Sequence, residues 1–177
     1  MIGPLEGLTL TQVIHFLFQG GLMQYILSNF PLSPSINSSL RPLKGTGRLV
    51  KTKDITIWEK KVLIWRLRNG AILQDIFDKL QEYDGPIQID FCFVFHKPRI
   101  IKKDGGIKIG RNDSNNFVKN SLDALCKLIG IDDSRVNSHY ITRAVCENEA
   151  DQQTLIRVRT CSIQVFDKQN DSEGYFL

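Results

Sequence analysis

The sequence predicts an α+β fold, a small mixed sheet with helices packed on one side, and three observations predict it. Ile87, Ile89, Phe91, Phe93 and Phe95 alternate with Gln88, Asp90, Cys92, Val94 and His96, the two-residue period of a strand with one buried face. Val118, Leu122, Leu125 and Ile129 recur at helical spacing, so they form one buried face of a helix that begins near Asn115 and stops at Gly130. Apolar segments bounded by prolines and polar turns supply the other strands, in the order strand, helix, strand, helix, strand, strand.

Residues 1–22 read as an N-terminal extension to a single domain over 23–177. They lack the basic start of a signal peptide, and Gln12, His15, Gln19, Gly20 and Gly21 break their apolar run, so neither export nor a membrane span is expected. Leu10, Val13, Phe16 and Leu17 suit a short amphipathic helix. Tyr25-Ile26-Leu27 forms a short strand that ends before Pro31 and Pro34. A long loop follows, and within it residues 41–53 carry Arg41, Lys44, Arg48, Lys51 and Lys53 with no acid. A helix is expected from Asp54 to about Asn69, with Ile57, Lys60, Lys61, Ile64 and Arg68 on one side and Trp58 and Trp65 as core residues. Gly70 interrupts it, and a helical turn or two carrying Ile72, Ile76, Phe77 and Leu80 leads to the turn at Tyr83-Asp84-Gly85-Pro86. Val136 to Val145 and Thr154 to Phe166 read as two strands, and the acidic connection Glu147 to Gln153 predicts that they pair as a hairpin. The tail from Asp167 is polar.

At 177 residues with ordinary apolar and charged fractions, the chain suits one globular domain. A net charge of +4 is mild, so the distribution of charge is more informative than its sum. Cys92, Cys126, Cys146 and Cys161 fall singly, without a Cys-x-x-Cys pair, as expected for reduced thiols in a cytoplasmic protein. His15, His96 and His139 are scattered, which argues against a zinc site. From Lys97 to Arg111 the chain carries six basic residues, among them Lys102, Lys103 and Lys108, against the single acid Asp104. Gly105, Gly106 and Gly110 are not followed by the Lys-Ser or Lys-Thr of a phosphate-binding loop, so no nucleotide cofactor is expected.

This basic run leads to Asn112, Asp113 and Ser114, residue types that cap helix N-termini, where exposed amides favour negative charge. Lys119, Asp123 and Lys127 share a polar stripe on the helix, and Asp132-Asp133 follows it. By themselves these residues describe a capped helix and an Asp-Asp-Ser turn. The whole pattern says more. Asp113-x-x-Asn116-x-x-Lys119-x-x-x-Asp123-Ala124-Leu125, then Asp132-Asp133-x-x-Val136, resembles the RusA family of Holliday-junction resolvases. Pro34-Ser35-Ile36-Asn37 with Arg41 is similar to the stretch after the first strand in that family, and the match spans roughly residues 24–166.

The resemblance implies a homodimeric, magnesium-dependent endonuclease, with manganese as a substitute, that recognises four-way DNA junctions during recombination and repair. It implies that Asp113 and Asp133 are metal ligands, that Lys119 stabilises charge on the phosphate, and that Asn116 orients a ligand or the backbone. Asn37, Arg41, Lys44, Arg48, Lys102, Lys103, Lys108 and Arg111 would contact DNA. The chain departs from the family at Asn115, where the pattern calls for aspartate. An amide oxygen coordinates a metal without contributing charge, so Asp132 becomes a candidate substitute if it points inward. A relative that binds junctions without cutting them is the alternative reading. A protein-interaction domain, in which the acids only cap and the basic loops are solvated, is the third.

Overall fold

Ten residues, Ile87–His96, form the strand on which the sheet is built (β4). The computed structural model describes residues 23–42, 44–45, 48–108 and 115–161. On one side β4 pairs antiparallel with the last strand, β7 (Gln153–Thr160), which pairs in turn with the first, β1 (Gln24–Pro31). On its other side β4 pairs in parallel with two short strands placed end to end, β5 (Val136–Ser138) and β6 (Ile141–Cys146). The fold is thus mixed α+β, and its sheet is mixed, as expected. Ile87, Ile89, Phe91, Phe93 and Phe95 are all buried, so the alternating row faces the core.

Three helices cover that face: α2 (Lys53–Arg68), α3 (Gly70–Gln81) and α5 (Asn115–Ile129). Two shorter helices, α1 (Ile36–Ser39) and α4 (Lys97–Ile100), complete the set among the described residues. Both tryptophans are core residues, as expected: Trp58 donates to the Pro31 carbonyl at 2.9 Å and Trp65 to that of Ser28 at 3.0 Å. Their rings meet Phe30 edge-on, with centroids 6.2 and 5.1 Å away. Tyr25 donates to Asp75 of α3 at 2.6 Å. Burial, then that bond and the Asp75 charge, push its phenol well above the ordinary range. From α5, Phe117 packs against Phe93 and Phe95, with centroids 5.8 and 5.2 Å apart.

Several expectations are corrected. The last two strands do not form a hairpin, because β4 lies between β6 and β7 and pairs with both. The acidic connection, with a 3-10 turn at Glu149–Asp151, instead crosses over the end of β4, where Gln152 accepts from the His96 amide at 3.2 Å. Val136 to Val145 is not one strand either. It breaks at His139 and Tyr140, where the Tyr140 amide donates to Asp90 at 3.1 Å and its carbonyl accepts from the Phe91 amide at 2.8 Å. The long basic loop contains a small hairpin of β2 (Leu40–Pro42) and β3 (Leu49–Lys51). Gly70 starts a full twelve-residue helix rather than a turn or two. The expectations for residues 1–22 and 162–177 lie outside the described residues.

The sheet has two distinct ends. At the upper end β1, β4 and β6 finish, and α1, the β2–β3 hairpin, α4 and the start of α5 gather there. Helix α5 then runs down the sheet. It stops at Gly130, which has φ +66°, and a Cβ there would lie 2.4 Å from the Phe77 ring of α3. At this lower end Arg135 donates to the carbonyls of Leu80 and Tyr83, and Val136 pairs with Ile87.

Candidate functional site

Helix α5 divides the residues that the sequence puts in one site. Asn115 is its first residue, Asn116 is half-buried, and Lys119 is exposed one turn later. Asp113 and Arg111 lie outside the described residues. Asp132 and Asp133 follow the opposite end of the helix, in and before the 3-10 turn Asp133–Arg135. At 1.5 Å per residue, the fifteen residues of α5 set Asn115 about 21 Å along the axis from Ile129, and Asp133 follows that far end in the turn after Gly130. The two therefore do not surround one metal position within a chain. Both aspartates are exposed, so Asp132 does not point inward as a substitute ligand. It accepts from the Ser134 amide at 2.9 Å, and its bonds with Ser134 hold its carboxyl below the usual range. The field of this acidic corner is felt by Cys126, whose thiol is pushed up to about 12 by burial, then by Asp133, Asp123 and Asp132.

Among the described residues, no three histidine, cysteine, aspartate or glutamate side chains meet as a metal site. The described members of the expected set, a neutral amide at one end of α5 and a carboxylate at the other, do not fit a magnesium ion in one chain.

The basic segments, in contrast, converge. Arg41 in β2, Lys44 and Arg48 are exposed on the small hairpin, and Asn37 is exposed on α1 beside it. Lys102 and Lys103 are exposed on the loop after α4, which an Ile101–Ile107 bridge closes. Lys108 is half-buried and donates to the Pro98 carbonyl, so it braces that loop. All of these stand at the upper end, with the start of α5. Acids are also present there: Glu59 pairs with Lys51 at 2.6 Å and Glu147 with Lys97 at 2.7 Å.

Several depressions open along α5, and two of them bear on the expected site. A groove of about 480 Å³ runs between α2 and α5, and Lys119, Asp123 and Lys127 all line it. The polar stripe read from the sequence is therefore one wall, and Lys51, Glu59 and Arg66 face it from the other side. A smaller cleft of about 300 Å³ lies at the upper end, between the β1–α1 loop, α2 and the start of α5. Ser33, Ser35, Ser38, Lys61 and Arg99 line it, and sequence reasoning singled out none of them as site residues. The available signals were Ser35 in the Pro34-Ser35-Ile36-Asn37 stretch and Arg99 in the basic run from Lys97, four residues past Phe95.

On the sheet face away from the helices, Asp90 accepts from Gln88 at 2.7 Å and from Arg157 at 2.7 Å, with Arg159 3.7 Å away. Burial raises the Asp90 pKa, but hydrogen bonds from Gln88, Arg157 and the Tyr140 amide, with the Arg157 charge, outweigh it and leave the carboxyl below its ordinary value. The network ties β4 to β7 and to the β5–β6 break. Among the described residues no disulfide forms and no helix is long and apolar enough to cross a membrane. No protein-family model matches this chain, and no curated protein matches it.

Proposed function

We propose that this protein binds four-way DNA junctions with its upper end, as a homodimer, and acts in recombination and repair as a RusA-like endonuclease of the cytoplasm. One observation carries the reading: two basic segments far apart in sequence, the β2–β3 hairpin and the loop after α4, lie at the same end of the sheet as the start of α5. Cations at that density bind a phosphate backbone by releasing counterions, whatever the base sequence. We infer likewise that the mixed α+β fold is RusA-like.

Magnesium dependence comes with the resemblance, and the described acids do not form its site in one chain. Asp113 is left as the carboxylate of the pattern that follows the second basic segment, with Lys119 one turn into the helix to stabilise phosphate charge. Cleavage would need further acids, and a second copy supplying Asp133 is the dimeric way to bring one.

The separation of Asn115 from Asp133, with the neutral side chain of Asn115, favours a second reading: a junction-binding homologue that does not cut. Incubating the full chain with labelled four-way junction and linear duplex, with and without magnesium or manganese, separates the two. Metal-dependent symmetric cleavage supports the endonuclease, and tight binding with no cleavage in wild type or Asn115→Asp supports the binder. A third reading is favoured by Ile57, Leu63, Ile64 and Leu67, which stand exposed on α2. In that case the protein recognises another protein, and neither DNA is bound.

A further inference from the structure

We propose that the cleft between the β1–α1 loop, α2 and the start of α5 seats a backbone phosphate of a DNA arm, gripped by Arg99 and Lys61. The inference rests on the junction-binding reading and assigns a site to it that the resemblance does not include.

The walls of the cleft are fixed before any ligand arrives. Ser33 is buried and donates to the Phe117 carbonyl at 2.9 Å, which ties the β1–α1 loop to the first turn of α5. Asn120 adds bonds to the Pro34 carbonyl at 2.9 Å and the Ser39 hydroxyl at 2.8 Å. Into this frame Arg99 is held by aromatic rings, its guanidinium carbon 5.3 Å from the Phe95 centroid and 5.7 Å from that of Phe117. Such contacts remove rotamer freedom from a side chain whose planar fork matches phosphate oxygens, so little order remains to be imposed on binding. Partial burial also lowers the Arg99 pKa, with Glu149 acting in the opposite sense.

Lys61 lines the cleft from α2, and no ion pair among the described residues involves it. Among the described residues Asp54 is the one acid that lines the cleft with Lys61 and Arg99, and Glu149 acts on Arg99 from outside the lining. The Ser35 and Ser38 hydroxyls, 3.1 Å apart, also line the cleft, and the Ser38 hydroxyl is spent on the Ser35 carbonyl at 2.9 Å. Phe117 is two residues from Asn115, so a strand seated here passes directly to the start of α5.

The test is junction affinity as a function of salt for the full chain and for Lys61→Gln, Arg99→Gln, Arg99→Lys and the Lys61→Gln/Arg99→Gln pair. Each Gln variant is expected to weaken binding about tenfold and to reduce the log-log salt slope by about 0.9, and the pair by about twice that. Arg99→Lys keeps the charge and loses the fork, so it should retain the slope while losing affinity. Circular dichroism and thermal melts establish that each variant is folded. Lys61→Gln changes an exposed side chain and keeps the test alive if Arg99→Gln does not fold. Wild-type affinity and slope in folded Lys61→Gln and in the folded pair would overturn the cleft. If Lys102, Lys103 and Lys108 reversed to Glu still weakened binding in that case, the junction reading would stand without it. No junction binding by the wild type would overturn both.

Discussion

The two ends of this molecule are held together by different physics. The lower end is closed by fit: Gly130 sits against the Phe77 ring with no room for a Cβ, and Arg135 spends its donors on two backbone carbonyls. The upper end is held by hydrogen bonds between loops, and it leaves Arg41, Lys44, Arg48, Lys102 and Lys103 pointing to solvent. Close packing resists change in volume, and exposed charge resists change in sign. The lesson is that substitutions at the two ends should fail in different assays.

The largest effect expected is at the lower end. Gly130→Ala meets both a positive φ and the Phe77 ring, and should cost about 2–4 kcal/mol of stability in denaturant melts. Its folded fraction should bind junction as wild type does, and a loss of DNA affinity without a loss of stability would break the division. Reversing Lys102, Lys103 and Lys108 to Glu should do the converse, lowering junction affinity by roughly a hundredfold at all sequences and flattening its salt dependence. Lys102 and Lys103 are exposed, so their reversal alone should leave the melt nearly unchanged, while Lys108 also braces its loop.

Asp90 sharpens the comparison, because it is a charge used for structure. Its folded pKa is depressed, so its contribution is fully present above the unfolded value of about 3.9 and is lost as pH falls through the lower, folded value. Asp90→Asn should cost about 1–2 kcal/mol near neutrality, less than for a fully buried pair because Arg157 is partly exposed. The difference between the variant and wild type should shrink below pH 4, and an unchanged gap in melts from pH 7 to 3 would exclude this carboxylate as the cause. The smallest effect belongs to Lys51→Ala, which removes a solvent-exposed ion pair with Glu59 and should cost under about 0.5 kcal/mol.

Local periodicity made the helices and the central strand legible. The Phe91 row declares a strand with one buried face, and Val118 to Ile129 declares a helix, because each pattern is set by neighbours in sequence. Partner choice is not local. An acidic turn between two apolar segments reads as a hairpin, yet β6 and β7 both find better partners on β4. The site was legible only as a list of residue types. The helix read from Asn115 to Gly130 already set Asn115 and Asp133 a helix length apart, but whether the chain folds back to join them is not local information, and the cleft around Arg99 joins four segments whose proximity exists only in the fold.

The position of β7 bears on how the protein is made. It is the last strand of the described sheet, and it lies between β1 and β4, which are brought together only through it. During synthesis both earlier strands emerge long before Gln153 does, so each waits with an open hydrogen-bonding edge beside an aromatic-rich face. A nascent chain stalled before residue 153 cannot close the sheet, and it presents the kind of surface that chaperones recognise.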